Sequence, residues 1–132
     1  MPQTDVFLYK ESDGEVPVLD WMRTLRRRDA AGYAACLARV KLLAAAGHEL
    51  RRPHADYLRD GIYELRAKRG RVNYRMLYFF HGRDVALVSH GLVKEREVPP
   101  IEIERAIQRR RRYEQNPILH RGSQVRQDTR DL

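Results

Sequence analysis

The residues best suited to chemistry are basic ones at strand spacing: Arg66 and Lys68, then Arg75, then His90 and Lys94. Hairpin reasoning brings three of them together. If Gly82 and Arg83 form a two-residue turn with His81 opposite Asp84, Arg75 falls directly opposite His90. If Arg69 to Val72 forms a four-residue loop with Lys68 opposite Asn73, Arg66 falls directly opposite Arg75. One cross-strand row then holds Arg66, Arg75 and His90, and alternation gives Lys68 and Lys94 the same facing. A one-residue slip in either turn breaks the row.

Two arginines facing each other across a ladder repel unless something negative sits between them. A phosphodiester would resolve the conflict, because a guanidinium is a planar fork that grips two phosphate oxygens. Glu64, on the same face and diagonal to Arg75, would resolve it equally well and leave an ordinary solvated sheet face. His90 has two readings too: an acid–base group with an unperturbed pKa near ~6.5, or a packed histidine. The run Arg109 to Arg112 spreads around a helix at ~100° per residue and makes no patch by itself. Arg105, Arg109 and Arg112 do share a helix face, which is either a solvated surface or a stripe that tracks a nucleic-acid backbone.

Composition narrows the partner. Lys and Arg number 26 against 18 Asp and Glu, a net charge of +8, which favours an anionic partner, nucleic acid most commonly and a membrane surface next, without choosing between them. A chain of 132 residues suits one compact domain. The single cysteine, Cys36, cannot form an internal disulfide, and in its Ala-rich surroundings it reads as a small buried hydrophobe. His48, His54, His81, His90 and His120 show no metal-ligand spacing. The reading finds no apolar run near the ~20 residues of a membrane helix and no signal-peptide core after Met1, so a soluble cytoplasmic protein without cofactor or metal is expected.

The elements that must position these residues are legible in outline. Val6 to Tyr9 is a short strand. Pro17 opens a helix whose apolar face is Val18, Trp21, Met22 and Leu25. Asp29 caps a second helix carrying Tyr33, Leu37, Val40 and Ala44, which stops at Gly47; the two form a helical hairpin. His48 to Arg59 reads as a polar connection. From Gly61 the period becomes two, and three strands end near Lys68, Phe80 and Val93, joined by short turns into an antiparallel meander. After Pro99 and Pro100, Ile103, Ala106, Ile107 and Arg110 predict a third helix. Residues 116–132 read as a polar tail, expected to be disordered, after a domain of residues 1–115. The class is α+β: an antiparallel sheet, made of the N-terminal strand and the meander, packed on the helical pair, with a C-terminal helix.

Several stretches in this order carry a resemblance: Gly47 to Pro53, Asp60-Gly61-Ile62-Tyr63-Glu64-Leu65-Arg66, Tyr74-Arg75-Met76-Leu77-Tyr78-Phe79-Phe80, His90-Gly91-Leu92-Val93-Lys94, and the helix from Pro99 to Tyr113. Over roughly residues 6–115 the chain resembles the phage-derived Gp49-like branch of the RelE/HigB toxin superfamily. The resemblance implies a RelE-like fold and the toxin of a type II toxin–antitoxin pair. Such a toxin is an endoribonuclease that cuts mRNA without metal on the ribosome and is neutralised by a HigA-like helix-turn-helix antitoxin. Carried over, Arg66 and Arg75 match basic strand positions at the scissile RNA, Lys94 the basic position ending the last strand, and His90 a functional histidine of some relatives. Lys68, Arg96, Arg105, Arg109 and Arg112 would bind RNA around them. The pattern departs where Glu95 follows Lys94 and where no tyrosine follows a few residues on, so the general base is unassigned. The alternative is a protein of the same fold without ribonuclease activity, either a gyrase-poisoning toxin or a phage-derived nucleic-acid-binding module.

Overall fold

The structure is a computed structural model that describes residues 3–93 and 96–132. The strand β1 (Asp5–Tyr9) precedes the helices α1 (Pro17–Arg28) and α2 (Ala30–Ala46). A 3-10 turn at Gly47–Glu49 leads into β2 (Ala55–Arg59), β3 (Ile62–Arg69), β4 (Val72–His81) and β5 (Val85–Val93). Then come α3 (Pro100–Gln115), the short α4 (Pro117–His120) and β6 (Arg121–Val125). The six strands form one sheet in the order β2-β3-β4-β5-β1-β6. Among the described residues, only the β1–β5 pairing is parallel. The architecture is α+β, consistent with a RelE-like fold.

The α1–α2 hairpin forms as its sequence signals require. Pro17 sits in the first turn of α1, and Asp29 caps α2 by accepting from the Gly32 backbone N–H at 3.0 Å. The Asp29 carboxylate also accepts from the Tyr74 hydroxyl at 2.7 Å, which pins α2 to β4. That bond, then the capping N–H, holds the Asp29 carboxyl below its ordinary range. The hairpin covers one sheet face through Val18, Met22, Cys36, Val40 and Leu43 against Leu65, Met76 and Val88. Trp21 lies over Gly91, where an added Cβ would come within 2.3 Å of its ring. Cys36 is fully buried, and desolvation pushes its thiol up to about 12. Helix and 3-10 turn together, Ala30–Glu49, are long and apolar enough to cross a membrane by length and composition, contrary to the expectation that no such run exists. Here the apolar side of that segment is packed on the sheet.

The other sheet face has its own core. α3 lays Ile103, Ala106 and Tyr113 on Ile62, Leu77, Phe79 and Leu87. The sheet is thus the middle of three layers, and every candidate strand residue lies on the α3 side.

Two regions depart from the sequence reading. The connection expected over residues 48–59 contains the edge strand β2, because Ala55 and Tyr57 pair with Leu65 and Tyr63. The tail expected to be disordered is instead built into the fold. β6 pairs antiparallel with β1, Val6 opposite Val125, and so closes the sheet edge that β1 would otherwise expose. Beyond it, Asp131 accepts from Arg26 and from the Tyr33 hydroxyl at 2.7 and 2.8 Å.

Candidate nucleic-acid interface

The β3–β4 hairpin places its arginines as the spacing predicts. Arg66 lies directly opposite Arg75, and Lys68 opposite Asn73. The turn is tighter than the four-residue loop, since Arg69 and Val72 also pair.

The β4–β5 register is a correction. The turn holds three residues, with His81 opposite Val85, and a β-bulge follows between Tyr78 and Leu77. Arg75 therefore faces Leu92, and His90 faces Leu77. Each change alone would flip the face of His90. Together they shift the register by two, so His90 returns to the face of Arg75 but stands two residues along instead of opposite it. The extra residue is Ser89, which has no cross-strand partner. Such a bulge re-aims side chains, and here it brings the Ser89 hydroxyl beside the His90 ring.

The arginine pair is held by acids. Glu64, only 1% exposed, accepts from Arg75 Nη1 at 2.9 Å and from Arg66 Nη2 at 3.4 Å. Asp56 on β2 accepts from Arg66 at 3.3 Å and from Arg52 at 2.8 Å. The repulsion between the facing arginines is thus relieved inside the protein by Glu64, as the plainer reading allowed. The guanidiniums are not used up: Arg66 Nη1 and Arg75 Nη2 make no hydrogen bond among the described residues, while the Nε atoms of both are buried without a partner there. The two arginines line a cleft of about 380 Å³ with Asp56, Tyr57, Leu58, Arg59, Glu64, Glu97, Val98 and Ile103. In the turn between β2 and β3, Gly61 has φ +80°, a left-handed backbone that favours glycine.

His90 belongs to a second cluster, sealed by α3 and 7% exposed. Its Nδ1 meets Ser89 Oγ at 2.8 Å and its Nε2 meets Glu102 Oε1 at 3.1 Å. Burial first, then the charges of Arg109 and Arg105, pushes its pKa down to about 3, so the ring is neutral. A carboxylate accepts only, so Nε2 carries the hydrogen and Nδ1 accepts from the serine hydroxyl. Arg109 donates to Ser89 Oγ at 3.3 Å, and Arg105 donates to Glu102 at 2.7 Å, completing a chain of donors and acceptors from α3 to β5 and back.

The outlying basic residues divide. Lys68 and Arg96 are exposed, and Lys94 lies outside the described residues. Arg105, Arg109 and Arg112 line one cleft, as their spacing predicts. Arg109, however, is 9% exposed and turned inward onto Ser89, the Tyr9 ring and Glu11. Arg112 also reaches Glu11, at 3.6 Å. The sequence reading gave no role to Asp56, Glu102 or Glu11, acids that help decide which basic groups are free.

No curated protein matches the chain. Residues 21–111 match the family model described as phage-derived protein Gp49-like (DUF891), a span that includes every strand of the meander and most of α3. The chain therefore belongs to the Gp49-like family, a branch of the RelE/HigB toxin-like superfamily.

Proposed function

We propose that this member of a toxin-related family is the toxin of a type II toxin–antitoxin pair and cuts mRNA on the ribosome without a metal ion. The observation that carries this reading is Arg66 directly opposite Arg75 in an open cleft, each with one terminal guanidinium nitrogen that makes no hydrogen bond among the described residues. In such a cut the RNA supplies its own nucleophile. The 2′-oxygen attacks phosphorus as its proton leaves, the bond to the 5′-oxygen breaks, and that oxygen takes up a proton. Arg66 and Arg75 stabilise the charge that builds on the phosphorane oxygens. Lys94 clamps the phosphate or protonates the leaving oxygen. Lys68, Arg96, Arg105 and Arg112 guide the strand by charge. Arg109 instead holds α3 in place.

His90 acts as acid–base group only when α3 lifts, since both ring nitrogens are engaged beneath it. In the closed form the ribosome supplies alignment and proton transfer. The sealed histidine favours a second reading, in which the domain binds nucleic acid or poisons gyrase without cutting RNA. One experiment separates them: a brief expression pulse followed by mapping of mRNA ends. Breaks in translated codons, with 2′,3′-cyclic phosphate and 5′-hydroxyl ends, support the ribonuclease. Intact mRNA with growth arrest supports the second reading. A helix-turn-helix protein that co-purifies and relieves toxicity would be the antitoxin.

A further inference from the structure

Next to the arginine cleft lies a second cleft of about 570 Å³, lined by His48, Leu50, Arg51, Arg52, Ala55, Asp56, Tyr57 and Tyr63. Asp56 and Tyr57 line both clefts, so the two meet across the edge strand β2. Tyr57 is 53% exposed, an uncommon placement for a tyrosine that is nonetheless fixed at both ends. Its hydroxyl accepts from the Gly61 backbone N–H at 3.1 Å, and its ring packs edge-on against Tyr63 at 5.0 Å. Tyr63 stacks in turn on Tyr78 at 5.3 Å. The result is a preorganised aromatic surface, open to a cleft of ligand size and flanked by two exposed arginines.

We infer that Tyr57, backed by Tyr63 and flanked by Arg51 and Arg52, is a stacking subsite for one unpaired base of the RNA strand whose phosphate sits on Arg66 and Arg75. The inference rests on the nucleic-acid reading above. The far wall of the arginine cleft is Val98 and Ile103, so a strand seated there continues over the β2 edge, past Asp56 and Tyr57. Any base offers a π-face, so the subsite holds a base without selecting its identity. Asp56 repels the backbone little, because Arg52 and Arg66 both balance it.

The test uses the full chain and a 5′-fluorescein six-nucleotide RNA, 2′-O-methylated throughout so that it cannot be cut, with a series in which one base at a time is removed. Wild type should lose about tenfold in affinity at one abasic position. Tyr57→Ala and Tyr57→Leu should each bind the intact RNA about tenfold more weakly and be indifferent to that abasic position, whereas Tyr57→Phe stays within about threefold. Leucine keeps the apolar bulk, so its failure separates stacking from packing, and matching thermal unfolding confirms that the variants fold. Wild-type affinity in both non-aromatic variants, or an abasic penalty that persists in them, overturns the subsite. Unchanged RNA affinity with lost antitoxin binding also overturns it, assigning the surface to a protein partner. Arg75→Ala, run in parallel, should weaken every RNA equally. That loss without an effect at Tyr57 sinks the subsite alone, while no RNA binding by wild type at any salt sinks both readings.

Discussion

Arg66, Arg75 and Glu64 face an open cleft, whereas His90, Ser89 and Glu102, on the same sheet face, lie sealed under α3. Both clusters pair basic groups with acids at hydrogen-bond distance, so residue type does not separate them. The difference is coverage and stoichiometry. In the first, two arginines share the buried Glu64, Arg66 also bonds Asp56, and each arginine keeps one terminal nitrogen without a partner among the described residues. In the second, the imidazole nitrogens and the serine hydroxyl each have a matching partner and lie covered by α3, although Arg109 Nε is buried without a partner among the described residues. Satisfied, buried polar networks hold a structure together; undersatisfied ones at a surface are where a ligand gains most. As the structure stands, His90 links helix to sheet through Ser89 and Glu102.

The largest test of that division is Arg75→Ala. Losing a donor aimed at the transferring phosphate should lower cleavage on programmed ribosomes by roughly 100-fold or more, with growth inhibition abolished and the fold kept. Toxicity unchanged in this variant would remove the open cleft from the mechanism.

Glu64→Gln addresses the same cluster from below. It removes the charge that both arginines share while keeping an acceptor, and should cost about 1–3 kcal/mol in urea unfolding at pH 7. An unchanged midpoint would mean that the two arginines do not need Glu64 to coexist.

His90 gives the sealed cluster a pH signature. Its folded pKa of about 3 lies below the ordinary ~6.5, so between these values the unfolded chain binds the extra proton. Its contribution is fully present above pH ~6.5 and is lost as pH falls toward about 3, at no more than roughly 1.4 kcal/mol per pH unit. The melting temperature should drop between pH 6.5 and 4.5, and His90→Gln should flatten that drop. Equal slopes in both proteins would show that the imidazole is charged beneath α3. The same variant should retain more cleavage than Arg75→Ala.

The smallest effect is expected at Arg105→Ala. Its bond to Glu102 is half exposed, so stability should change by no more than about 1 kcal/mol. A loss several times larger would mean that Arg105 is what keeps Glu102 on His90.

Local signals were enough for the elements whose ends carry their own chemistry. Pro17, Asp29 and Gly47 mark α1 and α2, the double proline starts α3, and the Gly70-Arg71 turn sets Arg66 against Arg75. The β4–β5 pairing was not legible, because a three-residue turn and a bulge at Ser89 read the same in sequence as two regular strands. β2 and β6 were hidden for a related reason. Ala55–Arg59 and Arg121–Val125 are polar, and they become strands only because β3 and β1 offer them unpaired backbone groups.

By itself the sequence determined the α+β class, the helical hairpin, the facing arginines and the family. These follow from periodicity and turn residues, whose effects reach only a few residues along the chain. The tertiary structure alone decided which basic groups stay available. Asp56 reaches Arg66 from β2, Glu102 and Arg109 reach His90 and Ser89 from α3, and Glu11 draws Arg109 and Arg112 inward. Those partners lie between 10 and more than 90 residues away in the chain, and charge is balanced by neighbours in space, not in sequence.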